Sequence, residues 1–469
     1  MQQSKLIQLY TCFDSQELEA LHKWVNSPLH NKDPKVQQLV LHLSSRRQLT
    51  PTNLDKKRLF KAIYPHQAYE DQQWRRLVSK TVQCLEKFVQ FWMSKQDTVY
   101  QQQQLLLFLQ QHQRPKLAQQ QAKKVAQLLE QAPTQTSSYY YQSYQLKKAV
   151  FEADAQQNRM TATNLQSLIH DFSISFMIES LHLACTAHSH QNLYKSAYEM
   201  PFLEQVLKQI EEPIYQESIA LQLYAKAYRS LVAYQDDSHF ETFKAYLLTH
   251  AAILSPAEQK NLYTLAINYC VRHINHNESQ HYMQQVFELY QQGIANEVLL
   301  SNGQLSRFAY KNIAAVGLRL GEYDWVATFI KEYLPYLEEG YRANYYHYNL
   351  CKWHFAKGDY DQALELLGQV EYDDLFLNLD AKTTLMKIYY ETQNFLPLEA
   401  FFHSFAIYLQ RKDIMGYHRK NYQHILKLTK KLVALPPYDT AAKVALKESI
   451  LSTHPLTERP WLLQQLTQL

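Results

Sequence analysis

Apolar side chains recur at three- and four-residue steps along almost the whole chain, the period of a helix buried along one face. Between residues 70 and 95, Trp74, Leu77, Val78, Thr81, Leu85, Phe88, Val89 and Trp92 fall on one side, and Lys80, Glu86, Lys87 and Gln90 on the other. The same period predicts shorter helices over about 15–26, 34–45 and 53–63. Asp14-Ser15-Gln16-Glu17, a capping-box variant, opens the first of them. Ser27-Pro28, Asp33-Pro34, Thr50-Pro51 and Tyr64-Pro65 separate the segments, because proline ends one helix or starts the next.

The stretch 98–131 is rich in glutamine: Gln101 to Gln104, then Leu105-Leu106-Leu107-Phe108-Leu109, then Gln119-Gln120-Gln121. The embedded leucines and the Arg114-Pro115 break fit two packed helices, with glutamine as a neutral, solvent-facing helix former, better than an aggregating tract. From 136 onward, helices of roughly 12–20 residues alternate with short polar breaks at Asp236-Asp237-Ser238, Ser255-Pro256, Asn275-His276-Asn277 and Asn302-Gly303. Long helices joined by short loops pack as antiparallel neighbours. Continued over more than 300 residues, the pattern predicts an all-α chain built as a solenoid.

Composition narrows the function. There are only 8 Gly, all at or after Gly293, and no glycine-rich phosphate loop or nucleophile elbow occurs. Tight β-hairpins also lean on glycine, which disfavours all-β and α/β folds. Paired carboxylates at Asp236-Asp237 and Asp373-Asp374 sit beside breaks and read as helix caps without a spaced His or Ser partner. The chain therefore reads as non-enzymatic, with no cofactor. No apolar run reaches the ~18–20 residues of a membrane span, and the first residues hold no signal-peptide stretch. The five isolated cysteines, without a C-x-x-C, point to reduced thiols and a cytoplasmic location.

Charge is uneven. Residues 1–150 carry 21 Lys+Arg against 10 Asp+Glu, a net +11, and the remainder carries 27 against 34, a net −7, which together give the chain's +4. A basic head on an acidic body can bind anions or nucleic acid, or present solvated helix faces.

The clearest internal repeat is Leu320-Gly321-Glu322-Tyr323-Asp324-Trp325-Val326-Ala327 against Lys357-Gly358-Asp359-Tyr360-Asp361-Gln362-Ala363-Leu364, 37 residues further on. Thr392-Gln393-Asn394-Phe395-Leu396-Pro397-Leu398 follows 35 residues later without the glycine. A left-handed cap ends one helix, an aromatic folds back, and an acidic residue begins the next helix near its positive end. These residues resemble tetratricopeptide repeats. Ala314, Cys351, Val326 and Ala363 fill the small-residue slots, and Ile313, Leu350 and Leu385 the leucine slot. His354 and Tyr389 stand in the first-helix aromatic slot. Gly317 in the aromatic slot, Met386 in a small one and a period above the usual ~34 depart from the pattern. The likeness is strong over 341–371, fair over 307–337 and weak over 379–409. With Asn26-Ser27-Pro28-Leu29-His30-Asn31-Lys32 and Trp461-Leu462-Leu463, the whole chain also resembles a set of uncharacterised bacterial helical-repeat proteins.

The resemblance implies a right-handed α-solenoid of helix-turn-helix hairpins. Its divisions would be a helical head (1–95), degenerate hairpins (96–300), tetratricopeptide-like repeats (301–410) and C-terminal helices with a cap near 457–467 (411–469). It also implies a concave groove lined by first helices. Mapped onto this chain, the groove takes Phe308, Lys311, Ala315 and Arg319, then Tyr345, Tyr348, Lys352 and Phe355, then Thr383, Lys387 and Tyr390. Lysines among aromatics suit a peptide or partner protein that carries carboxylates. This partly resembles the carboxylate clamps of some tetratricopeptide domains, although their groove asparagines are missing.

Three other clusters are candidates. His182, Cys185, His188 and His190 share a drifting helix face that zinc could use, but no carboxylate or H-E-x-x-H accompanies them, and ordinary packing is the simpler reading. His273, His276 and His281 fall in an expected exposed loop. Lys56, Lys57, Arg58, Lys61, Arg75, Arg76 and Lys80 could form a helix-turn-helix on DNA, although Trp74 and Leu77 bury part of the second helix. The expectation is a partner-binding scaffold. The alternative is a nucleic-acid-associated regulator with a basic head.

Overall fold

The computed structural model describes residues 3–46, 49–157, 165–194, 197–277, 279–368, 375–411, 416–436 and 438–469. Among the described residues the chain is all-α apart from one hairpin of two-residue strands, and it forms two compact units, Met1–Ser180 and Leu181–Leu469.

The first unit opens with α1 (Lys5–Tyr10), α2 (Ser15–Asn26), α3 (Pro34–Ser44), α4 (Lys56–Ile63) and α5 (Asp71–Gln96). α5 packs against α1, α2 and α3, and their apolar stripes close a core around Leu6, Leu21, Leu39, Leu59, Trp74, Leu85 and Phe88. The capping box forms as the sequence implies. Glu17 N–H donates to Asp14 Oδ1 at 2.8 Å, and Asp14 N–H donates to Glu17 Oε2 at 3.0 Å. α1 was not expected, because six residues are too few to display a helical period. It buries Leu6, Ile7 and Tyr10.

α6 (Thr98–Gln111) and α7 (Pro115–Glu130) form the expected pair on either side of the Arg114-Pro115 break, with α8 (Ser137–Gln157) packed on both. Leu106, Val125, Leu129 and Leu146 make their core. The glutamines are not all solvent-facing. Gln103 and Gln121 are buried, and their amides donate to the Gln142 and Gln102 carbonyls at 2.8 and 2.9 Å. Gln110 reaches the Ala149 carbonyl at 2.8 Å. An amide side chain can tie one helix to the backbone of its neighbour, which an apolar side chain cannot do. The unit ends inside α9 (Leu165–Tyr194).

The second unit continues with α10 (Leu203–Gln209), α11 (Pro213–Gln216), α12 (Ile219–Val232), α13 (Asp237–His250), α14 (Pro256–Asn277) and α15 (Gln280–Ala295). α12 pairs with α13 and α14 with α15. β1 (Leu300–Ser301) and β2 (Gln304–Leu305) then pair antiparallel across Asn302-Gly303. Both turn residues have positive φ, 50° and 73°, as the tight mirror-image hairpin turn requires.

Three helix pairs follow: α16 (Arg307–Leu320) with α17 (Tyr323–Glu332), α18 (Glu339–Ala356) with α19 (Tyr360–Gly368), and α20 (Leu375–Glu391) with α21 (Phe395–Arg411). The first helices lie against one another, α16 on α18 and α18 on α20. Gly321 and Gly358 end their helices in left-handed backbone at φ 81° and 78°. In the third pair Gln393 takes that conformation at φ 55°, so the turn persists where the glycine is absent. Gly317 also has a physical reason. A Cβ there would lie 2.5 Å from Val326 Cγ2 and 3.2 Å from Phe287 Cε2, so an aromatic side chain has no room.

α22 (Gly416–Val433), α23 (Thr440–Ser452) and α24 (Arg459–Gln468) close the unit. Trp461, Leu462 and Leu466 of α24 join Leu446, Ile450, Phe405 and Met386 in one apolar core.

Candidate partner-binding face

The side-by-side packing of α16, α18 and α20 brings Lys311, Lys352 and Lys387 into one polar network. On α20, Asp380, Thr384, Lys387 and Glu391 recur at four- and three-residue steps and so share one face. Lys311 Nζ lies 2.5 Å from Asp380 Oδ2, and the Tyr422 hydroxyl donates to Asp380 Oδ1 at 2.8 Å. Lys352 Nζ donates to Thr384 Oγ1 at 3.3 Å. Lys387 Nζ donates to Glu458 Oε2 at 2.8 Å.

The C-terminal segment completes the arrangement. Glu458 precedes α24 with left-handed backbone, φ 56°, and makes no side-chain cap to its own helix. Its carboxylate is directed at Lys387 instead. Three residues on, the Trp461 indole N–H donates to Glu391 Oε1 at 2.6 Å, and its ring meets Tyr390 edge-on at 5.5 Å. The Lys387 ammonium sits 4.7 Å from the Phe355 ring centre and 5.5 Å from that of Trp461, within cation–π range.

These surroundings set the protonation states. Burial alone would raise the Glu458 carboxyl, but Lys387, Lys352 and, more weakly, Arg319 hold it at about 2. Burial pushes the Lys387 ammonium below its ordinary value against the pull of Glu458. The Tyr348 and Tyr422 phenols are pushed well up, first by burial and then by Asp380.

Of the residues mapped onto the groove, Tyr345, Tyr348, Thr383, Lys387 and Tyr390 are buried rather than open to solvent. Thr383 donates to the Leu379 carbonyl of its own helix at 2.9 Å. Lys311, Lys352 and Phe355 are half-buried, whereas Phe308, Ala315 and Arg319 on α16 are exposed. Asp380 meets Lys311, and Glu458 and Trp461 meet Lys387, so these two lysines are engaged within the chain. Neither Asp380 nor Glu458 was singled out from sequence. The signal for the first was the polar stripe at 380, 384, 387 and 391 on a helix whose residues are mostly buried.

The other candidates separate differently. Cys185 is fully buried, its thiol pushed up by burial, and its Sγ lies 3.9 Å from the Tyr224 carbonyl. The His182 ring lies 5.4 Å from that of Tyr224, and the Tyr198 hydroxyl is 2.5 Å from His190 Nδ1. No group of three His, Cys, Asp or Glu side chains able to hold a metal occurs among the described residues. His273 belongs to α14, not to an exposed loop, and is buried between Tyr234 and Tyr282 at ring distances of 4.0 and 4.1 Å. Tyrosines on α14 and α15 make that stretch a packed helix pair. His281 is exposed on α15, and the His276 side chain lies outside the described residues.

In the head, Lys56, Lys57, Arg58 and Lys61 are exposed along α4. On α5, Arg75 is paired with Asp71 at 2.6 Å and Lys80 with Asp33 at 2.8 Å. A cavity of about 290 Å³ between α3 and α4 is lined by His42, Arg46, Asn53, Arg58 and Ala62. Asp236 caps α13 by accepting from Ser238 N–H at 3.1 Å, and Asp237 accepts from the Tyr282 hydroxyl. Asp373 and Asp374 lie outside the described residues. No helix among the described residues is long and apolar enough to cross a membrane.

Comparison with protein-family models, with curated proteins and with solved structures finds no match for this chain.

Proposed function

We propose that this chain is a non-catalytic interaction scaffold of the cytoplasm. Its helix pairs form a right-handed solenoid of tetratricopeptide-like hairpins, and it holds a partner protein or peptide along the first helices α16, α18 and α20. One observation carries the reading. Lys311 and Lys387 of those helices are met by carboxylates, and at Lys387 the chain itself supplies a carboxylate and an indole three residues apart, Glu458 and Trp461. A face that accommodates such a pair in its own fold has the chemistry to take an acidic, aromatic segment of a partner. The part left open lies along α16, where Phe308 and Arg319 are exposed beside this network.

The test is affinity capture from a native extract with the full chain, beside a Phe308→Ala/Arg319→Glu variant. Both residues are exposed, and circular dichroism checks that the variant keeps its helical signal. A partner retained by the wild type and lost from the variant supports the face. The same partners on both forms, or none on either, contradict it.

A second reading rests on the cavity flanked by Arg46 and Arg58 and the exposed lysines of α4. In that reading the head touches nucleic acid and the second unit senses a partner. Binding to duplex DNA or heparin that weakens steeply between low and moderate salt would support it, and no retention at low salt would sink it.

A further inference from the structure

Two arginines face one space in the cavity between α3 and α4. His42 stands in the last turn of α3 and Arg46 just past its end, while Arg58 and Ala62 stand one turn apart on α4. All four line the cavity with Asn53, and Ala62 contributes only a methyl, which leaves the volume open. Both guanidiniums are held in place without being neutralised. Arg46 Nη2 lies 3.1 Å from His42 Nε2. A guanidinium has no acceptor, so the ring nitrogen accepts and the imidazole is the neutral Nδ1–H tautomer. Burial, and then the Arg46 charge, hold His42 below its ordinary pKa, which favours that form. Arg58 Nη1 donates to the Thr52 carbonyl at 3.5 Å. The nearby Asp55 carboxylate is engaged at the start of α4, where the Arg58 backbone N–H donates to it at 3.0 Å. Among the described residues no carboxylate pairs with the side chain of Arg46 or Arg58.

We propose that this cavity binds a small phosphate monoester. Two guanidiniums on one space match a dianion with three terminal oxygens, because each planar fork can donate to two oxygens at once. A carboxylate offers two oxygens and one charge, enough for a single fork. At about 290 Å³ the cavity lies at the small end of ligand sites, ~300–1,000 Å³, and so suits a phosphate with a short organic group. The site is independent of the partner-binding face. It also gives the Arg46–Arg58 cavity a small dianion in place of a nucleic-acid backbone, whose diester carries one charge per phosphate.

Isothermal titration of the full chain in a phosphate-free buffer tests it. Inorganic phosphate and ribose 5-phosphate are each raised to about 20 mM, since two charge-assisted forks should give a dissociation constant of about 1 mM or tighter. One ligand should bind per chain, and sulfate should compete where chloride at equal ionic strength does not. Arg46→Met and Arg58→Met, both at exposed positions, should each weaken binding about tenfold, with circular dichroism checking that helix content is unchanged. Lys87→Met removes the same charge from an exposed position on α5 that does not line the cavity, and should bind as the wild type does. No heat over the range overturns the proposal. So does binding that weakens equally in Lys87→Met, or that ignores both arginine substitutions. Duplex DNA retained through Arg46 and Arg58 by a chain that takes neither small ligand would overturn it in favour of the nucleic-acid reading.

Discussion

Lys387 and Glu458, 71 residues apart in sequence, meet at 2.8 Å beneath the rings of Phe355 and Trp461. Lys387 is buried and Glu458 half-buried, so removing the carboxylate leaves the lysine charge with its desolvation penalty and without its partner. Glu458→Gln should lower the unfolding free energy by roughly 3 kcal/mol in urea titrations. Lys387→Met/Glu458→Gln, which removes both charges, should recover much of the loss. Additive losses in the double variant would mean that the two side chains do not act as a pair.

The same carboxylate predicts an acid transition. Its pKa in the fold, about 2, lies below the ordinary 4.5, so the fold favours the ionised form. The stability it contributes is complete above about 4.5 and is lost as pH falls toward 2, a change worth roughly 3 kcal/mol. Lys387 stays protonated throughout that window, so its burial adds no slope there. Chemical denaturation measured at steps between pH 5 and 2.5 should show a shallower loss in Glu458→Gln than in the wild type. Equal slopes would remove Glu458 from the account.

Gly317 is held by a close approach of helices, not by backbone conformation. Gly317→Ala places a methyl 2.5 Å from Val326 Cγ2 and should cost about 1–3 kcal/mol. Val326→Ala in the same chain should relieve part of that cost, and thermal unfolding of the two single variants and the double reads it directly. The absence of any relief would place the strain elsewhere.

Cysteine reactivity follows burial. Cys12 is exposed, whereas Cys84, Cys185, Cys270 and Cys351 are buried. Burial raises the Cys270 and Cys351 thiols to about 12. A disulfide-exchange reagent at neutral pH should therefore modify one thiol rapidly in the native chain and the other four only after denaturant is added. Rapid modification of two or more native thiols would contradict the packing.

Much of this architecture could be read from residue order, because helices report themselves through period and caps. Asp14 and Glu17 located the start of α2, Arg114-Pro115 divided α6 from α7, and Gly321 and Gly358 marked two turns of the helix pairs. The candidate face was only partly legible. Helical spacing placed Lys311, Lys352 and Lys387 on first helices, but it could not show that Asp380 and Glu458 arrive from 69 and 71 residues away to meet two of them. Periodicity carries information about one helix at a time, and this network joins α16, α18, α20, α22 and the start of α24. His273 shows the same limit. Its surroundings looked polar in sequence, yet aromatic rings from the turn after α12 and from α15 enclose it.

The most direct measurement is hydrogen exchange on the full chain, with and without the partner retained in affinity capture. Binding along the first helices predicts slowed exchange in peptides from α16 and the C-terminal half of α18, around Phe308, Arg319 and Lys352. It also predicts no change in the head. Protection confined to the head or to α9, with α16 exchanging as in the free chain, would contradict the account.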